Sequence, residues 1–188
     1  MTPTATMRLA LLLCLALPGV AAATAYHVQQ DESTLGFTAT FQGAAFQGSF
    51  SRWHADIRFD PARLANSKFD VTVDTTSAAT GDADRDGALP GADFFNATKY
   101  PQAHYLTTGF TRLDGSRAIA HGNLTLRGVS HPLNLTVTFT PQPDGTALMD
   151  VTGTLKRLDY GVGGGEYADT SVIGDNVTIQ AHLVLSTK

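Results

Sequence analysis

A two-residue alternation of apolar and polar side chains is the feature that most constrains this chain, because it recurs in run after run. The clear runs occupy residues 34–41, 53–59, 69–73, 124–126, 133–139, 151–155 and 177–185. A period of two gives each strand one apolar face and one polar face. Turn signals such as Asp60-Pro61 and Asp114-Gly115 separate neighbouring runs. The sequence therefore predicts an all-β fold.

The number of runs favours a closed antiparallel barrel. Weaker runs near residues 46–50 and 105–113 bring the total to about eight strands, the range in which such barrels close. A barrel of this size either fills with side chains or holds a small ligand, and a two-sheet sandwich is the competing arrangement. The positions that should point inward mix phenylalanines with Ala39, Gly48 and Gly153. The alternation alone leaves a channel and a filled core equally open.

The alternation stops over residues 80–101, where the sequence is TGDADRDGALPGADFFNATKYP. Turn-forming glycines and aspartates surround an adjacent Phe94-Phe95 pair. Only residues 83–89 and 92–97 are compatible with short helical turns. An apolar pair outside the strands must be buried against another element of the fold. We therefore predict that this segment is a lid, part helix and part loop, which closes one end of the barrel.

The aspartates of the same segment also follow the spacing of an EF-hand calcium loop. Asp82, Asp84 and Asp86 fall at positions one, three and five, Gly87 at six and Asp93 at twelve. The flanking helices are not predicted, and an aspartate reaches less far than the usual bidentate glutamate. We predict no metal site here, although calcium binding is left open. The other interpretation assigns these aspartates to turns, helix caps and arginine partners.

The first residues have the pattern of a secretory signal peptide. Arg8 precedes an uncharged apolar run over residues 9–20, and small residues follow at 21–25. The run is short for a helix that spans a bilayer. We predict a signal peptide over residues 1–23, with cleavage no later than residue 25. The remaining residues 24–188 are then a single mature domain.

Composition excludes several functions for the mature chain. The single cysteine, Cys14, lies inside the predicted signal peptide, which excludes thiol catalysis and cysteine-ligated metal. The net charge of −4 becomes −5 after loss of Arg8, and no basic block occurs, so nucleic acid is not an expected partner. No Gly-x-Ser-x-Gly or His-Glu-x-x-His motif occurs. We predict no enzyme activity and no cofactor.

Four stretches together resemble the YceI-like family of periplasmic polyisoprenoid-binding proteins. They are Ser33 to Phe50; Thr80-Gly81, Arg85-Asp86, Leu89, Asp93-Phe94-Phe95 and Tyr100-Pro101; Gly122 to Ser130 with Pro132-Leu133; and Arg157-Leu158-Asp159-Tyr160-Gly161. They occur in the family's order and cover nearly the whole mature chain. The resemblance implies an extended, lipocalin-like antiparallel barrel of eight strands that holds an isoprenoid chain in its apolar interior.

From this resemblance we expect a periplasmic carrier of a polyisoprenoid or a similar long-chain lipid, with an isoprenoid quinone among the candidates. A membrane protein that donates or accepts the lipid is a candidate partner, and monomer and homodimer are both left open. Two alternatives also stay open. One is an enzyme that acts on the bound lipid with Asp86, Asp93 or Asp159 as base. The other is a cation-stabilised interaction module with a filled core.

The candidate lipid-binding residues are inward-facing apolar positions of the strands, together with apolar and aromatic residues of the lid and its neighbours. They are Phe37, Phe41, Phe46, Phe50, Trp53, Ile57, Leu89, Phe94, Phe95, Tyr100, Leu124, Leu135, Val137, Leu155 and Tyr160. The charged candidates either contact a lipid head group or brace the lid. They are Arg85, Asp86, Asp93, Arg157 and Asp159. Bracing by arginine–aspartate pairs is the more ordinary role for a semi-buried arginine.

Overall fold

The structure is a computed structural model that describes residues 23–187. The predicted signal peptide lies outside the described residues, apart from its last position. The described chain forms β1 (Thr24–Val28), β2 (Thr34–Phe41), β3 (Ala44–Phe50), β4 (Trp53–Phe59), β5 (Lys68–Asp74), β6 (Ala78–Ala79), α1 (Ala83–Ala88), β7 (Gln102–Asp114), β8 (Arg117–Leu126), β9 (Val129–Pro141), β10 (Ala147–Lys156) and β11 (Asn176–Thr187). Single turns of 3₁₀ helix occupy Gln30–Glu32, Leu64–Asn66, Thr75–Ser77, Arg157–Tyr160 and Gly165–Tyr167. Within residues 23–187 we find no helix with the length and apolar character that a bilayer span requires.

Eight of these strands close into an antiparallel barrel, which confirms the predicted fold class. They follow one another in the order β1, β4, β5, β7, β8, β9, β10 and β11, and β11 pairs with β1 to complete the ring. The strand that closes the ring, β1, is absent from the predicted runs, because five residues are too few for a clear alternation. Tyr26 in this strand pairs with Ile57 of β4 and with Thr187 of β11.

The end of the barrel near β1 is filled with aromatic side chains, and we call it the filled end. The ring of Phe59 lies 5.1 Å from that of Phe139 and 5.9 Å from that of Phe69, centre to centre. Phe110 lies 4.9 Å from Phe69, and Tyr26 lies 5.7 Å from Phe139. The rings meet edge-on or tilted, as aromatic pairs prefer. This half of the interior is therefore a packed core.

The opposite end is shaped by the hairpin of β2 and β3. The edge of β11 is shared, because residues 178–182 pair with β2 and residues 185–187 pair with β1. Gln42 and Gly43 join β2 to β3 with φ angles of 50° and 78°, which suit a tight two-residue hairpin turn. The ladder between β3 and β6 involves only Ser49 and Phe50 of β3. The lid segment, residues 80–101, follows β6 and packs against β3.

The inward glycines of the strands are covered by neighbouring side chains. A Cβ atom on Gly48 would lie 2.3 Å from the ring of Phe37, and a Cβ atom on Gly122 would lie 2.6 Å from the ring of Tyr105. The Tyr105 hydroxyl then donates to the carbonyl oxygen of Ala120 at 3.1 Å. These glycines let an aromatic ring fold across the neighbouring strand, so they do not themselves open a channel.

Candidate functional site

A band of half-buried apolar side chains lies inside the barrel, between the filled end and the lid segment. The band consists of Phe50, Trp53, Val71, Val73, Leu124, Val151, Val177, Ile179 and Ala181 from the strands and Leu89 from the lid segment. The strand members point inward, because they share the alternation of the buried core residues. Nearer the filled end, Ile57, Phe69 and Leu185 of the same strands are almost completely buried. An inward side chain keeps exposed surface only where solvent can reach it, so this band forms a partly open apolar inner surface, which we call the chamber.

The lid segment packs its two phenylalanines against different partners. Phe95 is buried, and its ring lies 6.1 Å from that of Phe50 on the chamber wall. Phe50 in turn lies 5.5 Å from Phe37. Phe94 is half-buried, and its ring packs 5.1 Å from that of Tyr167. Phe95 is therefore the member of the pair that caps the interior.

The aspartates of the lid segment shape its backbone. Asp82 caps α1 by accepting a hydrogen bond from the backbone N–H of Arg85 at 3.1 Å. Asp86 accepts from the hydroxyl and the N–H of Thr80 at 2.7 and 2.6 Å and from the N–H of Gly81 at 3.2 Å. The hydrogen bond from the Thr80 hydroxyl is the main reason that the pKa of Asp86 is lowered. These contacts match the predicted roles as helix cap and turn former.

The EF-hand spacing does not gather its carboxylates around one point. No group of three or more histidine, cysteine, aspartate or glutamate side chains is placed to hold a metal ion anywhere in residues 23–187. Asp86 is directed at Thr80, and Asp82 at the first turn of α1. Asp93 is exposed, and its backbone carbonyl accepts a hydrogen bond from the N–H of Gly163 at 2.7 Å.

Arg85 attaches the lid segment to β3. Its guanidinium lies 4.6 Å from the centre of the Phe46 ring, and its Nη2 atom lies 3.4 Å from the Asp82 carboxylate. Its Nε donates to the hydroxyl of Thr80 at 3.3 Å. Arg85 therefore braces the lid segment through the Asp82 carboxylate and through the Phe46 ring on which its guanidinium stacks.

Arg157 is a buried brace of the loop that follows β10. Its Nε donates to the carbonyl of Gly174 at 3.1 Å, and its Nη1 to that of Val162 at 2.9 Å and also to that of Gly163. Its Nη2 donates to the carbonyls of Tyr167 and Ile173 at 2.9 and 2.8 Å. Burial lowers the pKa of this arginine. These contacts brace the loop, and the partners are backbone carbonyls instead of the expected aspartates.

Arg127 is a site residue that the sequence reasoning missed. Its Nη1 donates to the carbonyls of Asp93 at 3.0 Å, of Phe94, and of Gly161 at 2.7 Å. It therefore ties the lid segment to the loop after β10. Arg127 has a φ angle of 52° at the turn between β8 and β9. The pair Arg127-Gly128 at a turn is the signal that could have pointed to this residue. No local pattern indicates which backbone carbonyls the arginine side chain contacts.

The other predicted residues fall into four places. Phe50, Trp53, Leu89 and Leu124 line the chamber. Tyr100 belongs to the lid segment, Phe46 and Tyr160 lie beside it, and Phe37 and Leu155 are buried strand residues. Ile57, Leu135 and Val137 are buried in the packed core, and Phe41 is exposed at the end of β2. The sequence reasoning omitted several chamber-lining residues, although the alternation marked them as inward. They are Val71, Val73, Val151, Val177, Ile179 and Ala181.

Two tyrosines and Asp159 lie beside the lid segment. Tyr160 is buried, which raises the pKa of its hydroxyl, and its ring meets His131 edge-on at 5.2 Å. Tyr100 covers Gly128, where a Cβ atom would lie 2.7 Å from its ring. The Asp159 side chain is exposed, and its backbone oxygen lies 3.1 Å from Nε2 of His131. Both rings therefore close the lid end by packing.

Two concave regions lie on the outer face of the sheet. One, of about 560 Å³, is lined by hydroxyl and amide side chains of β2, β3, β9, β10 and β11 together with Phe37, Val151 and Ala181. The other, of about 610 Å³, lies at the break between β1 and β2 beside His27 and His54. The first region therefore adjoins the band at Val151 and Ala181, whereas the second shares no lining residue with the band.

Comparison with known proteins identifies the family to which the chain belongs. A family model described as the YceI-like domain matches residues 26–185. The chain belongs to the YceI-like family. Protein YceI of Shigella flexneri is 36% identical over 120 residues, which cover 61% of this YceI-like chain and 62% of the relative's length. A UPF0312 protein of Pseudomonas savastanoi pv. phaseolicola is 31% identical over 154 residues, covering 78% of this chain and 80% of that protein.

Solved structures share the barrel of this YceI-like chain. BcnA of Burkholderia cenocepacia aligns with a TM-score of 0.80 and 30% identity, over 84% of this chain and 99% of that one. A YceI protein of Campylobacter jejuni aligns with a TM-score of 0.65 and 28% identity, over 75% of this chain and 84% of that one. A domain from Saccharophagus degradans described as polyisoprenoid binding aligns with a TM-score of 0.68, over 88% of this chain and 99% of that one. Its identity is 15%, so this last likeness concerns the fold alone.

Replacing Arg157 by lysine should destabilise the YceI-like domain. An ammonium group cannot present the planar fork that meets five carbonyl oxygens, so buried carbonyls lose their partners. We expect the free energy of unfolding to fall by about 2–4 kcal/mol, measured by chemical denaturation. Arg85→Lys is the matched control, with an expected loss below about 1 kcal/mol because Arg85 is half-exposed. A stable Arg157→Lys variant that changes only ligand affinity would contradict the role as a brace.

The chamber should accept a large side chain that the packed core cannot. Ala181 is half-buried on the chamber wall, whereas Ala118 is 3% exposed opposite Val137. We expect Ala118→Phe to cost about 1–3 kcal/mol or more through overpacking, and Ala181→Phe to cost less. Thermal and chemical denaturation of the two ligand-free variants measure the difference. Equal losses would mean that the interior near Ala181 is already full.

Proposed function

We propose that this YceI-like domain binds a long-chain isoprenoid or a similar lipid in the chamber and carries it through the periplasm without catalysis. The observation that carries the proposal is the division of the interior. The aromatic core fills one end of the barrel, while several inward side chains nearer the lid segment, among them Val71, Val151 and Ala181, keep exposed surface. Apolar walls beside unfilled space suit a ligand that is itself a hydrocarbon chain.

The energetics of such a ligand require few polar contacts. Burying each methylene group stabilises the complex by about 0.8 kcal/mol, so an isoprenoid chain has ample driving force. Ordering the chain opposes this gain, and affinity saturates well below the summed transfer energy. The chamber wall consists of phenylalanine, tryptophan, leucine, valine, isoleucine and alanine. These side chains supply a dry surface, which is what the hydrocarbon needs.

The charges around the lid favour a neutral head group. The loops at this end comprise residues 80–101, 127–131 and 157–175, and they carry eight carboxylates against four arginine and lysine side chains. Two of the cations, Arg127 and Arg157, donate to backbone carbonyls. An excess of carboxylates disfavours an anionic head group such as a pyrophosphate. Within the isoprenoid class, a quinone ring or an alcohol therefore suits this end better.

The positions of the candidate catalytic acids support carriage over catalysis. The carboxylate of Asp86 accepts hydrogen bonds from Thr80 and Gly81, which lowers its pKa and makes it a weak base. Asp93 and Asp159 are exposed on the loops instead of lining the chamber. The proposed periplasmic location rests on the signal-like pattern of residues 1–23.

Mass spectrometry of a lipid extract from the purified protein is the direct test. A co-purifying isoprenoid in near-stoichiometric amount supports a carrier. Conversion of an added isoprenoid into a new product would show an enzyme instead. Absence of any bound lipid, together with failure to take up isoprenoid from detergent micelles, would contradict the proposal and favour an interaction module with a filled core.

The two lid phenylalanines should affect lipid release differently. Phe95 caps the chamber wall at Phe50, whereas Phe94 packs outward on Tyr167. We expect Phe95→Ala to speed release by roughly tenfold with little change in uptake, because most affinity differences lie in the off-rate. Phe94→Ala is the matched control and should release lipid nearly as the wild type does. Stopped-flow fluorescence with a labelled isoprenoid measures both, and equal release from all three proteins would remove the lid from the mechanism.

A further inference from the structure

The exposed large apolar side chains gather at the lid end of the barrel. Among residues 23–187, five such side chains are between 37% and 47% exposed. Four of them lie at strand ends or in the loop after β10, around the lid segment: Phe41, Val129, Tyr167 and Val172. The fifth, Leu113, lies near the far end of β7, roughly 35 Å along the strand from the lid. We call the four side chains at the lid end the apolar cap.

Three separate connections build the apolar cap, and each adjoins the lid segment or the chamber. Phe41 and Val172 are neighbours, because a β-bridge joins the end of β2 to the loop that contains Val172. The ring of Tyr167 packs 5.1 Å from that of Phe94 in the lid segment. Val129 begins β9, directly after the turn whose arginine donates to lid carbonyls. The cap therefore surrounds the end at which the chamber lies.

The charge around the apolar cap is negative. The eight carboxylates of these loops include Asp84, Asp93 and Glu166, which are exposed. Two of the four cations are turned toward backbone carbonyls, as described above. An anionic surface would therefore be repelled, and a surface of neutral or zwitterionic groups would not.

We infer that the apolar cap docks the protein on a lipid bilayer whose surface carries little net negative charge. The inference rests on the proposed function, because a carried lipid must leave a bilayer and enter the chamber beside the lid. Apolar side chains that protrude from separate loops can enter the boundary between head groups and acyl chains. A fluid surface accepts such protrusions without a matching pocket, which favours a bilayer over a basic protein. The carboxylates then select against anionic lipid.

Co-sedimentation with phosphatidylcholine vesicles tests the docking directly. The wild-type protein should bind, and the double variant Val129→Ser, Val172→Ser should bind at least about tenfold more weakly. Leu113→Ser removes an equally exposed apolar side chain from the opposite end and should leave binding unchanged. Absence of binding by the wild type, or an equal loss in Leu113→Ser, would overturn the inference.

The dependence of vesicle binding on lipid charge and on salt is a second, independent test. Adding phosphatidylglycerol to the vesicles should weaken binding, added salt should restore it, and Glu166→Gln should improve binding to the anionic vesicles. Tighter binding to anionic vesicles at low salt would contradict the inference. Binding to a basic protein with none to vesicles would replace the bilayer by a protein partner.

Two routes of lipid delivery separate this inference from the proposed function. The double variant should take up isoprenoid from detergent micelles as the wild type does, but more slowly from vesicles. Failure of the double variant in detergent would place Val129 and Val172 in the cargo site and overturn the docking role. Failure of the wild type by both routes would remove the proposed function, whereas co-sedimentation would still decide whether the apolar cap binds lipid surfaces.

Discussion

Closure of the sheet by a five-residue strand is the constraint on which the rest of the structure depends. β1 pairs with β4 on one side and with the last residues of β11 on the other, so it completes the ring at one end only. There the ring is narrow enough for Phe59 and Phe139 to meet across it. Further along β11 the partner becomes β2, and the β2–β3 hairpin leaves an end that the lid segment must cover. The barrel is therefore a packed core at one end and a chamber at the other.

The covered end is irregular, and two arginines compensate for the hydrogen bonds that regular structure would provide. Carbonyl groups in a loop have no ladder partner, and leaving them buried without a donor is costly. Arg157 satisfies carbonyls from Val162 to Gly174, and Arg127 joins the same loop to the backbone of the lid segment. The side chains of Arg127 and Arg157 thus stabilise the fold. The surface around the two arginines has an excess of carboxylates. This negative charge disfavours an anionic head group and an anionic lipid surface at this end of the barrel.

Much of this arrangement could be predicted from the residues, and the limits have physical causes. The Phe94-Phe95 pair predicted a lid, but which ring turns inward depends on Phe50 and Tyr167, which are distant in sequence. Two of the aspartates with EF-hand spacing bind the backbone of the lid segment instead, Asp86 at Thr80 and Asp82 at Arg85. A spacing pattern identifies possible ligands, and only the path of the backbone decides whether they converge. The inward glycines could likewise be located, but not the rings that cover them.

The sequence by itself determined the strand faces, the turns, the lid and the family, because these depend on local periodicity and on short motifs. The tertiary structure decided which inward residues are buried and which line the chamber. Val71 and Phe69 have the same pattern on the same strand, yet Phe69 lies in the packed core and Val71 beside open space. No local feature of β5 distinguishes the two residues, so the difference comes from the side chains that other strands pack around them, such as Phe59 and Phe110 against Phe69. The partners of Arg157 also come from long-range geometry, since no local pattern specifies which loop carbonyls lack a donor.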